Sequence, residues 1–137
     1  MEKAQSTLLD EIMYRRQRRQ PYSKDELFDY WKSVISVLAY CSCCGIAHCD
    51  IKPSNLLLVR EDNKMSNSQF QVKISDFGTC INIAPESKNM QLNMKDASFT
   101  NFNKFMTPLY ASPNIIQKAP RINYYLEDVF SLGVSFI

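Results

Sequence analysis

The chain has little or none of several features that would assign a sequence to a large class. No apolar run is long enough to span a bilayer, since the longest candidates, such as Leu56 to Val59, are the length of a strand. A membrane partner is therefore not expected. No basic-then-apolar leader opens the chain, so a secretory signal is not expected either. Net charge is only +2, too small an excess to draw nucleic acid by itself. That excess sits mostly in one run, "RRQRR" at residues 15 to 19, which reads as a solvated face or loop. Internal repeats and low-complexity tracts are absent. Five cysteines are an odd number, and Cys41, Cys43 and Cys44 are too crowded for a disulfide framework. A reducing compartment is the expected home, cytoplasmic with the nucleus also open.

What is present suits one globular unit. The 137 residues, 45% hydrophobic and 22% charged, can bury a useful core. "SKDE" at 23 to 26 has the form of a capping box, with the Ser23 hydroxyl facing the Glu26 amide and the Glu26 carboxylate reaching back. It predicts a helix start, and Leu27, Trp31, Val34, Ile35 and Leu38 then fall on one face as far as about Ser42. Gly45 closes it. Leu8, Leu9, Ile12 and Met13 mark a shorter helix that ends before Pro21. "NLLLV" at 55 to 59 and "FQVKI" at 70 to 74, joined by a polar stretch, predict a β-hairpin. From Thr79 to Lys104 no period is visible, which predicts a long loop. "LEDVFSLGVSFI" at the end predicts the start of a buried helix.

One stretch, "CSCCGIAHCDIKPSN" at 41 to 55, holds four of the five cysteines and the single histidine beside Asp50, Lys52 and Asn55. Structural zinc sites draw their ligands as two separated pairs. Here Cys41 lies on the last helical turn, Cys43 and Cys44 are adjacent, and Cys80 stands alone, so converging four thiols would require unwinding the helix end. Small, packable helix-end residues are the preferred reading, with a Cys/His metal-binding module as the weaker alternative. The other chemistry lies in the oxygens and the ammonium. An Asp-x-Lys-x-x-Asn loop leads into a hairpin that ends on "DFG" at 76 to 78. Oxygen ligands at the two ends of a hairpin can hold Mg²⁺, and a lysine with a carboxylate suits phosphoryl transfer.

At these residues the chain resembles part of a eukaryotic protein kinase. "HCDIKPSN" is similar to the catalytic-loop motif H-R-D-x-K-P-x-N, and "DFG" to the metal-binding motif. "TPLYASPN" at 107 to 114 resembles the substrate-docking segment, and "DVFSLGV" at 128 to 134 the start of the central buried helix. Four motifs stand in family order, and the lysine two after the aspartate resembles serine/threonine kinases. The resemblance implies an α+β, protein-kinase-like fold, incomplete and mainly its helical C-terminal lobe. Its expected layout is hinge at 1–4, two helices over 5–44, and catalytic loop, hairpin and DFG over 45–78. The activation and docking segment follows over 79–114, and the start of the central helix over 115–137.

The implied activity is transfer of the ATP γ-phosphoryl group to Ser/Thr hydroxyls of a protein substrate, with ATP and Mg²⁺ as cofactors and oligomeric state left open. Carried over residue by residue, Asp50 would orient the acceptor hydroxyl and Lys52 would face the γ-phosphate. Asn55 and Asp76 would hold Mg²⁺. Leu57, with the backbone at Glu2 and Ala4, would meet adenine. Thr107 would sit near Asp50 and Lys52 and favour Ser/Thr acceptors. His48 and Phe77 would pack together, and Asp128 would bind catalytic-loop amides.

There are departures. Cys49 replaces the arginine that reads an activation-loop phosphate in many kinases, so phosphorylation at Ser87, Ser98 or Thr100 would not act through this position. Ser112 and Asn114 replace the usual Ala and Glu, removing an expected ion pair and putting the rigidity of the docking segment in question. The hairpin turn and the span from Asp76 to Asn114 are longer than the family pattern. The glycine-rich loop and strand lysine fall outside the resemblance, so the chain alone is expected to be nearly inactive. A pseudokinase or scaffold of the same fold is the second expectation.

Overall fold

The computed structural model describes residues 4–60, 70–83, 92–93 and 106–137, with the backbone alone at 92–93. They divide into two compact units. The first comprises residues up to Val37, Pro53–Ser75 and Phe136; the second comprises Leu38–Lys52, Asp76–Ser135 and Ile137.

In the first unit, strand β1 (Ser6–Thr7) runs directly into helix α1 (Leu8–Arg18). Thr7 serves both elements. Its hydroxyl accepts from the Asp10 amide at 3.1 Å while the Asp10 carboxylate accepts from the Thr7 amide at 3.0 Å, a second capping box that the sequence reading passed over. Helix α2 (Lys24–Cys43) starts where expected, with the Ser23 amide donating to Glu26 at 2.9 Å and the Glu26 amide to Ser23 Oγ at 3.1 Å.

The basic run is more than a solvated face, because Arg15 to Arg18 close α1 and Arg15 ties it to α2. Its guanidinium lies 2.6 Å from Glu11 and 2.8 Å from Glu26, and 4.2 Å from the centre of the Tyr22 ring. The buried stripe of α2 is also displaced from the expected one. Trp31 is 41% exposed, whereas Tyr30 is 0% exposed and lines up with Val34, Leu38 and Cys41 at spacings of four, four and three. Both stripes satisfy helical periodicity, so spacing alone did not choose between them.

The hairpin forms as predicted: β3 (Leu56–Arg60) pairs antiparallel with β4 (Phe70–Ile74), in register from Leu56↔Ile74 to Arg60↔Phe70. β1 joins the other edge of β3, giving the order β1-β3-β4. Leu56, Leu58 and Val59 are buried while Leu57 is half-buried. The 3-10 turn Pro53–Asn55 and β3 pack against α1.

In the second unit, α2 ends and Gly45 turns the chain at φ +74°, where an added Cβ would meet the Ile83 carbonyl oxygen at 2.9 Å. Only glycine fits that conformation and that approach. β2 (Ile46–Ala47) follows and pairs with β5 (Ile81–Asn82). The stretch predicted as a long loop thus contains β5, and it contains β6 (Leu92–Asn93), which pairs with β7 (Arg121–Ile122). Two-residue strands are too short to show a period. The short helix α3 (Pro113–Ile116) and helix α4 (Tyr124–Ser135) complete the unit. α4 starts at Tyr124, where the Asn123 side chain accepts from the Tyr125 and Leu126 amides at 3.2 and 3.4 Å. It is buried on one face only, through Tyr124, Asp128, Ser131 and Leu132, while Leu126, Val129 and Phe130 are exposed. Among the described residues, no helix is long and apolar enough to cross a membrane.

Candidate active site

The second unit brings Asp50, Lys52 and Thr107 together. The Lys52 ammonium lies 2.7 Å from Asp50 Oδ2 and donates to Thr107 Oγ1 at 3.0 Å. The Thr107 hydroxyl in turn donates to Asp50 Oδ1 at 2.9 Å. Asp50 is nearly enclosed, with 6% of its surface exposed. A buried carboxylate needs compensation, and here an ammonium and a hydroxyl supply it. Thr107 comes from a segment 57 residues further along the chain and is followed by the 3-10 turn Pro108–Tyr110.

The loop carrying Asp50 is held from α4. Asp128 accepts from the His48 amide through Oδ2 and from the Cys49 amide through Oδ1, each at 2.7 Å. Cys49 has φ +69°, an uncommon conformation for a residue with a Cβ. The Asp128 carboxylate gives the amides of this turn their acceptors. Burial pushes the Asp128 carboxyl up to about 6, against the lowering effect of those two amides.

His48 is buried and engaged on several sides. Its Nδ1 accepts from the Asp50 amide at 3.3 Å, its carbonyl accepts from the Thr79 hydroxyl at 3.0 Å, and its ring meets Phe77 edge-on at 4.8 Å between centroids. Thr79 was not singled out from the sequence, and a threonine in a turn gives no signal of a contact 31 residues away.

Asp76 has φ 62° and ψ 67° and makes no capping hydrogen bond to the 3-10 turn Phe77–Thr79 that it opens. Its side chain is exposed. A Cβ at Gly78 would stand 3.3 Å from Asp76 Oδ1, so the glycine leaves room around a carboxylate that the turn itself does not use. A hard, exposed oxygen donor of this kind fits a divalent cation.

The remaining site residues belong to the first unit. Asn55 is buried, and its carbonyl accepts from both the amide and the hydroxyl of Ser75, at 2.9 and 3.0 Å. Leu57 is half-buried on β3, and the Gln5 amide, next to Ala4, donates to the Leu58 carbonyl at 3.0 Å. Ala4 therefore adjoins the strand that carries Leu57. Glu2, Ser87, Ser98 and Thr100 lie outside the described residues.

The segment expected to dock substrate is anchored by hydrogen bonds at Tyr110 and Ser112. Ser112 caps α3, its hydroxyl oxygen accepting from the Asn114 and Ile115 amides at 3.2 and 3.4 Å. Ser131 on α4 donates to the Tyr110 carbonyl at 2.8 Å. "SPN" carried a legible signal, since serine before proline is a common helix entry. The reach of Ser131 did not. None of the five cysteines forms a disulfide; Cys41 and Cys49 are buried, Cys43 and Cys44 exposed. Among the described residues, no group of three or more His, Cys, Asp or Glu side chains is placed to hold a metal ion.

Comparison with known proteins bears on the family. A family model described as "Protein kinase domain" matches residues 1–137. The chain is 33% identical over 116 residues to the serine/threonine-protein kinase GIN4 of Saccharomyces cerevisiae, covering 85% of this chain and 8% of that protein. It is 35% identical over 116 residues to the probable serine/threonine-protein kinase MARK-C of Dictyostelium discoideum, covering 85% and 12%. To the human 3-phosphoinositide-dependent protein kinase 1 it is 34% identical over 104 residues, covering 76% and 15%. The chain thus spans between 8% and 15% of the length of these curated relatives.

Proposed function

The chain belongs to the protein kinase domain family, and we propose that the protein carrying it transfers the γ-phosphoryl group of ATP to serine and threonine hydroxyls of proteins. The observation that carries this reading is the closed set of contacts among Asp50, Lys52 and Thr107. A carboxylate there can orient an acceptor hydroxyl and take up its proton at Oδ2 or Oδ1. The ammonium beside it can offset negative charge on the transferring phosphoryl oxygens. Thr107 keeps the two groups in register.

Asp128 acts at one remove, fixing the backbone on which Asp50 is carried. His48 is a packing and hydrogen-bonding residue of that loop and takes no part as a base. Asn55 and Asp76 are the residues that would hold Mg²⁺, which neutralises phosphate charge when bound. Leu57, Ala4 and Glu2 are assigned to the adenine. The segment 1–4 is read as hinge, 79–114 as activation and docking segment, and 115–137 as the start of the central helix.

The test is the identity of the acceptor. The full-length protein, incubated with γ-labelled ATP, Mg²⁺ and a peptide mixture bearing Ser, Thr and Tyr, is expected to label serine and threonine and to lose the reaction on chelation of the metal. Label on tyrosine alone, or none on any peptide while ATP is bound, would count against it, the second outcome favouring a scaffold.

A further inference from the structure

The hairpin of the first unit leaves one edge open. Among the described residues its sheet has the order β1-β3-β4, so β4 pairs with β3 alone. The direction of the β4 peptide groups follows from the ladder. The Ser75 amide donates to the Asn55 carbonyl at 2.9 Å, and Leu57↔Lys73 and Val59↔Gln71 continue that hydrogen-bonded register at every second pair. β3 gives the same count from its other side, since the Leu58 carbonyl turns to β1's flank and accepts from the Gln5 amide at 3.0 Å. Val72 and Ile74 therefore aim their amides and carbonyls away from β3. A groove of about 550 Å³ runs along that edge, walled by Lys32, Ser33, Ser36 and Val37 of α2 and by residues 71–74 of β4. Successive strand side chains alternate between faces, so a wall made of four consecutive residues is the edge of the strand. Both walls belong to the first unit.

Charge selects among the possible occupants. Lys32 and Lys73 stand on opposite walls, and among the described lining residues no Asp or Glu accompanies them. The Ser33 and Ser36 hydroxyls donate to the Asp29 and Lys32 carbonyls at 2.9 and 2.8 Å, which leaves their oxygens as acceptors. A second copy joining edge to edge would bring its own lysines into the same space, like charge against like. We propose that this groove is a docking site for an extended, acidic segment of a partner protein. The segment adds to β4 as a further strand through the Val72 and Ile74 peptide groups and sets its carboxylates against Lys32 and Lys73. Main-chain hydrogen bonds supply the attachment in such a complex, and the lysines supply the choice of partner. The groove shares no residue with the Asp50–Lys52–Thr107 set, so the inference does not rest on phosphoryl transfer.

The probe is a short fluorescein-labelled peptide alternating valine and glutamate, titrated into the full-length protein by anisotropy. Two further peptides serve as controls: one alternates valine and lysine, and one alternates proline and glutamate, which keeps the charge but removes every second N–H donor. Only the first is expected to bind. Lys32→Glu, a change at an exposed position, should weaken it by about fivefold or more. Amide hydrogen exchange then locates the peptide. At saturation Val72 and Ile74 should slow by about tenfold or more, while Gln71 and Lys73, whose amides already face β3, keep their rates. The docking site is overturned if the lysine or the proline peptide binds as tightly as the acidic one, or if Lys32→Glu leaves affinity unchanged. It is equally overturned if Val72 and Ile74 do not slow, or if they are already protected before peptide is added, which would mean that another part of the protein or a second copy fills the edge. A protein that takes the acidic peptide but transfers no phosphoryl group would refute the proposed function and leave this docking site standing.

Discussion

Asp128 shows how much one side chain can hold. Its two oxygens accept the His48 and Cys49 amides at 2.7 Å. Asp128→Ala strands two buried donors, an expected loss on the order of 2 to 5 kcal/mol. Asp128→Asn keeps one acceptor and should fall between the two. Urea unfolding of the three proteins checks this, and an alanine variant as stable as the parent would mean that the tie contributes little. At this scale the sequence was informative about chemistry and silent about contact. Asp50, Lys52 and Asn55 were legible because their types and order suit phosphoryl transfer. The pairing of Asp128 with a loop some 80 residues away came only through the family resemblance, since separation of that size leaves no periodic trace. Thr79 and Ser131 gave no signal, being small hydroxyl residues whose partners are distant carbonyl oxygens.

Elements are held by a few directed contacts. α1 and α2 are joined through Arg15, Glu11, Glu26 and Tyr22, and the Arg15 hydrogen bonds hold the Glu26 carboxyl down at about 2. A folded-state value below the ordinary carboxylate range stabilises the fold above pH 4.5, and that contribution is lost as pH falls through about 2. The pair is partly open to water, so screening reduces the effect to on the order of 1 to 2 kcal/mol. Unfolding free energies measured between pH 5 and pH 2.5 should therefore fall less steeply in Glu26→Gln than in the parent. Identical slopes would remove the ion pair from the account. Helices with capping boxes and the five-residue hairpin strands were legible in the sequence because each carries several agreeing signals. β5 and β6 were not, being two-residue pairings fixed by tertiary contact. The choice of Tyr30 over Trp31 for the buried stripe of α2 escaped for a related reason: adjacent residues on a helix both fit the period, and only packing decides between them.

For the molecule as a whole, the two units carry different parts of one proposed function. The first holds the hairpin with Asn55 and Leu57, and the second the Asp50–Lys52–Thr107 set, the Asp128 tie and the docking segment with its serine anchors. A family model described as the protein kinase domain matches residues 1–137. Within the second unit Cys49 lies in a buried apolar cluster, Ser112 caps α3 and Ser131 donates to the Tyr110 carbonyl. The central claim is that Asp50 carries the chemistry. It is tested most directly by single-turnover phosphoryl transfer to a serine peptide by the full-length protein and its Asp50→Asn variant at saturating ATP and Mg²⁺. The prediction is a fall of about 100-fold or more in the transfer rate with ATP affinity little changed. An Asp50→Asn protein that transfers at the parent rate would contradict it.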